Sequence, residues 1–363
     1  MNDAMTPYKP DWREARDRMA DWWAGKLIDR VPALLRAPSS TPPERKRITS
    51  LPDRWIDPDT IFHNLEVDLE RWYWGGEAFP WYWPYLGPMF SAAFLGCTPK
   101  FQTNTTWYER PEGLTWDRAD ELSFDPDNRW WRLVQELTRR AVAESGGRYL
   151  VAIGPAIGAA LDLMCELFGS EETMIAMIER PDAVKRMRDR MVEWGRETYD
   201  TLDGIIAPHQ QGTFTGMFMW APDRSRVTQV DMCVMISPDM FRDFAVQDIR
   251  GLTDHVDQGI YHLDGEGELK HLDQILAIDS VRAVQWVPIT KPSDKVVRDP
   301  LPWTDLFARI QEAGKKVIVL TPPERVAPLL DKIDRRNVFL WVFGCKSEDE
   351  AWAVQRTIER KGV

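Results

Sequence analysis

From residue 259 onward the chain alternates short apolar runs with amphipathic ones four times. A strand at 259–263 precedes a helix at 268–277, 282–286 precedes 304–313, 316–320 precedes 324–333, and 338–343 precedes 347–360. Apolar runs of this length, each followed by a helical pattern, are what parallel strands joined by crossover helices require, because such strands are covered on both faces. With no break in composition, this predicts one α/β domain over 1–363. A doubly wound sheet and a closed barrel both fit the alternation. No GxGxxG follows the first expected strand, Val31 to Leu35, which favours the barrel. The expected fold is therefore a (β/α)8 TIM barrel with an N-terminal helical extension over 1–30 and an aromatic-rich insertion over 73–126.

The remaining elements follow from the same reading. A helix over 11–28 carries Met19, Trp22, Trp23 and Leu27 at helical spacing, and another runs from Ile61 to Trp72. After Pro126 come helices near 129–145, 159–168, 170–178 and 181–202, with strands at 149–153, 213–218 and 229–234. Pro181 and Pro238 each suit a first helical position, and Ser237 suits the cap before the latter.

Charge excludes some partners. The chain has 46 basic and 57 acidic residues, a net charge of -11, so no basic excess exists to neutralise a phosphate backbone. No apolar stretch approaches the roughly 20 residues of a membrane helix, and Met1-Asn2-Asp3-Ala4 lacks signal-peptide character. A cytoplasmic protein is expected. Cys97, Cys165, Cys233 and Cys345 form no CxxC pair, and no disulfide framework is expected. Many of the 18 tryptophans crowd the segment from Trp72 to Tyr85. They suit either a ligand pocket or a covered surface such as a barrel mouth or subunit contact.

In a barrel, function resides at the C-terminal ends of strands. The polar residues expected there are His262, Asp264, Gln285, Thr321 and Cys345, with Asp231 on or beside an earlier strand. His262 and Asp264 lie two apart in one run and so share a face. Imidazole, carboxylate and thiolate together suit zinc. Each residue also has an ordinary use: Asp264-Gly265 is a good turn pair, a free cysteine is commonly a small buried apolar residue, and a histidine is often a satisfied polar group. Asp231 and Asp162 could each hold a substrate or orient a ligand, or serve as caps.

The stretches Met235-Ile236-Ser237-Pro238-Asp239-Met240-Phe241, Tyr261-His262-Leu263-Asp264-Gly265 and Gln285-Trp286-Val287-Pro288 together resemble the uroporphyrinogen decarboxylase superfamily, whose fold is a (β/α)8 barrel. The resemblance covers most of the chain from about residue 130. Its methyltransferase branch binds zinc through a His-x-Cys pair and a later cysteine. His262 and Cys345 match two of these positions, and Asp264 stands where the first cysteine would be. The resemblance implies Zn2+ held by His262 and Cys345, with Asp264 in the place of the first cysteine. Beside it, Asp231, Gln285 and Asp162 are expected as catalytic residues and Trp107, Trp220 and Trp286 as substrate-pocket residues. The decarboxylase branch carries paired arginines near the first strand. Here Arg36 is followed by Ala37-Pro38-Ser39-Ser40, and the aromatic insertion suits an apolar or methylated substrate better than a polyanion.

The expected function is thus a zinc-dependent methyltransferase or demethylase that passes a methyl group to a corrinoid protein or a thiol. The chain has no Asp-x-His-x-x-Gly motif, so a corrinoid would arrive on a partner. The alternatives are a metal-free decarboxylase of a tetrapyrrole or aromatic acid, and a non-catalytic barrel that binds a tetrapyrrole or corrinoid. A homodimer is expected from the family.

Overall fold

The computed structural model describes residues 7–26, 28–289, 291, 294 and 296–363. Leu27 and the Met1 to Ala4 segment, both used in reading the sequence, lie outside the described residues. Seven strands form one sheet: β1 (Ala33–Pro38), β2 (Trp72–Gly76), β3 (Ser225–Thr228), β4 (Gln258–Asp264), β5 (Val281–Val287), β6 (Lys316–Thr321) and β7 (Val338–Val342). Their order is β2-β1-β7-β6-β5-β4-β3, parallel throughout except that β2 runs antiparallel to β1. The strand-helix alternation of the last third is therefore present as a parallel sheet. Its strands are covered on both faces, so Ile260, Leu263, Ala283, Val284, Ile318 and Leu340 are all buried.

Helix boundaries follow local chemistry. The helix Arg129–Ser145 starts where the Asn128 side chain accepts hydrogen bonds from the amides of Trp130 and Trp131, and Glu348–Lys361 starts where Ser347 accepts from Glu350 N. Each cap satisfies amides that the first turn leaves free. The last helix also places three acids in its first turn and Arg360 and Lys361 in its last, which complements the helix dipole.

The first quarter of the chain is tied to the sheet by one buried acid. The Glu77 carboxylate accepts two bonds from Arg30, at 2.8 and 2.9 Å, one from Arg18 at 2.8 Å and one from the Ala33 amide at 2.6 Å. It thereby links the helix Trp12–Trp23, which carries Arg18, to the start of β1 and the end of β2.

Two expectations change. A closed barrel is not formed by strand pairing among the described residues. Between β2 and β3 in the chain lie short pairings outside the sheet: Trp81–Tyr82 pairs with Leu150–Val151, Ala152 bridges to Phe214, and Thr213–Phe214 pairs with Trp220–Ala221. The expected strand at 229–234 is instead split. Its neighbour Ser225–Thr228 forms the strand, while Asp231–Met235 winds into a 3-10 helix. The apolar Met232 and Cys233 are buried by that turn, which is why their pattern imitates a strand.

Candidate functional site

The register of β4 against β5 sets His262 directly beside Gln285 and Asp264 beside Val287. Gln285, wholly buried, receives the His262 ring at Oε1, 2.6 Å from Nδ1. With the amide oxygen facing the ring, Nδ1 is the donor in this contact, and a neutral ring then carries its lone pair on Nε2. His262 Nε2 lies 3.9 Å from Asp264 Oδ2. The alternation that placed His262 and Asp264 on one face therefore holds, and Gln285 joins them by strand pairing.

Asp231 and Asp162 enter the same neighbourhood through the 3-10 turn. The two oxygens of buried Asp162 accept from the amides of Asp231 and Met232, each at 2.8 Å, so Asp162 holds the turn that presents Asp231. Burial pushes the Asp231 carboxyl up; a protonated His262 would oppose this, and the Asp264 carboxylate reinforces it. Asp231 is solvent-accessible, yet it lines a cavity, so its access to water is through a concave wall that still removes much of its solvation. Burial next to Asp231 raises Asp162 to about 8, and burial raises nearby Glu268 to about 9. Glu268 accepts from Tyr261 Oη at 3.2 Å.

The raised acid has a measurable consequence. An unfolded aspartate titrates near about 3.9, so the fold prefers protonated Asp162. Its stabilising contribution is full below the unfolded value and is lost as pH rises through about 8. Chemical denaturation between pH 5 and 9 (values chosen to bracket roughly that window) should show stability falling, with a shallower fall in Asp162→Asn. An equal or steeper fall in the variant would contradict this.

Among the described residues, no three His, Cys, Asp or Glu side chains gather closely enough to hold a metal ion. Cys345 is buried, and burial together with nearby Glu350 pushes its thiol up to about 11. Thr321 turns its hydroxyl to the Pro322 carbonyl at 3.2 Å.

The cavity that Asp231 lines measures about 370 Å3. Trp83, Tyr85 and Phe90 form aromatic walls, and Ser225 to Gln229 form the strand side. None of Trp107, Trp220 and Trp286, expected as pocket residues, lines it or the larger cavity beside it. Trp107 projects from a hairpin, 67% exposed. Trp220 is buried, with its indole bonded to the Gln211 carbonyl. Trp286 is buried edge-on against Trp303.

Sequence reasoning passed over the features that make this cavity. Trp83 Nε1, Ser225 Oγ and Thr228 Oγ1 line it and are buried without a hydrogen-bond partner among the described residues. Such orphan groups cost about 1 to 3 kcal/mol each. Met89 and Ala159, also in its wall, adopt left-handed φ of 50°, a conformation that costs non-glycine residues about 1 to 3 kcal/mol and concentrates at functional sites. A side chain at Gly154 would lie 2.2 Å from Pro84, and one at Gly216 would lie 2.6 Å from Trp83. Glycine at these two positions lets the Trp83-Pro84 segment close down on the strand ends.

Beside it lies a cavity of about 610 Å3 that shares Trp83 and Tyr85 as walls. Four arginines line it: Arg36, Arg47, Arg54 and Arg71. The aromatic insertion thus shares a chamber with four arginines.

No protein-family model matches the chain, and no curated protein matches it significantly. Among the described residues, no helix is long and apolar enough to cross a membrane.

Proposed function

We propose that this chain is a methyl-transferring enzyme, a methyltransferase or demethylase acting on a small O-, N- or S-methylated substrate. In this reading the seven-stranded sheet and the short ribbon are two arcs of one (β/α)8 barrel. The observation that carries it is the His262 ring, held by Gln285 in the tautomer that leaves Nε2 free, beside Asp264 and close to Asp231. A base at the end of β4 and an acid of unlike environment on the turn that walls an aromatic cavity are the parts that general acid–base group transfer needs.

The acceptor X–H gives its proton to His262 Nε2, and X attacks the methyl carbon. The bond from methyl to the substrate heteroatom breaks, its electron pair stays on that heteroatom, and Asp231 supplies the proton. Burial of Asp231 favours its protonated form, as an acid requires. Asp162 fixes the turn that carries it. A thiol serves as X; a corrinoid protein, the other acceptor class, would bring its own nucleophile and leave His262 no proton to take.

Zinc does not fit these residues as a three-ligand site. His262 Nε2 and Asp264 supply two donors, whereas the Cys345 thiol is not gathered with them. No step is therefore routed through a metal.

The test incubates the protein with methylated ethers, amines and thioethers plus a thiol, follows methylated thiol by mass spectrometry, and measures bound metal in wild type, His262→Ala and Cys345→Ala. Methyl transfer that survives chelation supports the acid–base route. One equivalent of zinc lost in both variants would restore the three-ligand reading, and no transfer to any acceptor, corrinoid protein included, would sink methyl transfer.

A metal-free lyase is the second reading, favoured by the raised Asp231. Carbon dioxide would leave an aromatic acid, and the electron pair left on carbon would take the Asp231 proton. Chelator-insensitive carbon dioxide release would support it.

A further inference from the structure

The larger cavity has a charge that nothing inside it balances. On a chain of net charge -11, its four arginines share one carboxylate, Asp68, and Arg47 is already paired with that group. The guanidinium groups of Arg36, Arg54 and Arg71 make no hydrogen bond or ion pair with any described residue. Instead they lie over rings. Arg36 and Arg71 approach Trp72 at 4.6 and 5.8 Å from its centroid, and Arg54 lies 5.4 Å from Trp55.

That arrangement leaves specific atoms unused. A guanidinium packed on an indole is held through its face, so its edge N–H groups stay free to donate. Arg36 is half-buried, and burial pushes its guanidinium down, so a counter-anion there would be stabilising. Most of the charge comes from the segment 47–71 rather than from β1, and the aromatic walls, including Trp74, Trp81 and Trp83, suit a flat body. The volume, about 610 Å3, falls within the ordinary range for small-molecule sites.

We infer that this chamber is a recognition site for a planar aromatic carboxylate, its carboxylate held by the edges of Arg54, Arg71 and Arg36 and its ring lying among the tryptophans. Trp83 and Tyr85 wall both cavities, their rings tilted against each other with centroids 4.5 Å apart, so the chamber adjoins the Asp231 cavity. This assigns the substrate class of the cleft proposed above and rests on reading that cleft as the site.

The test is binding without turnover, so that it fails or succeeds apart from the chemistry. Calorimetry on the full chain would use 4-methoxybenzoate and 2,6-naphthalenedicarboxylate as probes, with 4-methoxybenzamide as the uncharged isostere and phenyl phosphate as a second anion. At least one carboxylate should bind about tenfold or more tighter than the amide and than phenyl phosphate, as bidentate charge-assisted bonds imply. Arg54→Gln and Arg71→Gln should each weaken it several-fold, and Arg71→Lys should recover only part of the loss because a point charge replaces a planar fork. Arg54 and Arg71 contact only the rings of the tryptophans that follow them in the chain, so thermal midpoints should move little. Failure of both carboxylates to bind, equal binding of the amide, equal or tighter binding of phenyl phosphate, or indifference to both Gln variants would overturn the assignment. Selective binding with no methyl transfer would leave it standing and count only against the reaction.

Discussion

His262→Ala should lower turnover by about 100- to 10,000-fold, the span a positioned general base usually supplies, while carboxylate binding in the arginine chamber changes little. His262 is half-buried and its one short bond is to Gln285, so truncation leaves the surrounding sheet intact. The companion variant is Gln285→Leu. It keeps the ring but removes the acceptor that sets the tautomer, and the turnover loss should be smaller, about tenfold or more. Single-turnover rates for both variants, with circular dichroism as the fold control, decide the matter. Unchanged turnover in His262→Ala would remove His262 from the chemistry.

The largest stability effect should come from Glu77→Ala. Its carboxylate is fully buried and binds Arg30, Arg18 and the Ala33 amide. Removing one member of a buried charge network leaves the others unpaired, at about 3 to 5 kcal/mol. Arg30 itself is buried, so its charge has no ready exit to water. Glu77→Gln should cost less, because it keeps an acceptor for the Ala33 amide. Denaturant midpoints at constant m-value measure both changes. A loss below about 1 kcal/mol in Glu77→Ala would show that the arginines rehydrate freely.

Some of the site was legible because period-two alternation is a strictly local property. His262 and Asp264 share a face whatever surrounds them, and the apolar run before them marks a strand that ends there. The pairing with Gln285 needed one further step, the register between adjacent parallel strands, which sequence order suggests but does not set. The place of Cys345 relative to His262 and Asp264 is not a local property, because β7, which precedes it, is separated from β4 by β6 and β5. Reach across a sheet depends on curvature and loop path, and no residue pattern encodes either. The tryptophans are a different case. Trp220 and Trp286 face the core and Trp107 faces solvent, and aromatic density says only that large surfaces need a place, not which place.

The 229–234 error has the same origin. Val230, Met232 and Cys233 are buried, and a 3-10 turn held by Asp162 buries them as well as a strand would. The competing bond came from a residue some seventy positions away, invisible to a local window.

By itself, the sequence determined the strand-helix alternation, the absence of a basic surface excess and the shared face of His262 and Asp264, because each depends on neighbours along the chain or on composition. Only the tertiary structure decided that Gln285 fixes the His262 tautomer, that Asp162 presents Asp231, and that arginines from the segment 47–71 meet Arg36 of β1 in one aromatic chamber. Those facts depend on which distant groups share a desolvated space, where unpaired charge and orphan polar atoms become costly, and that is settled by packing.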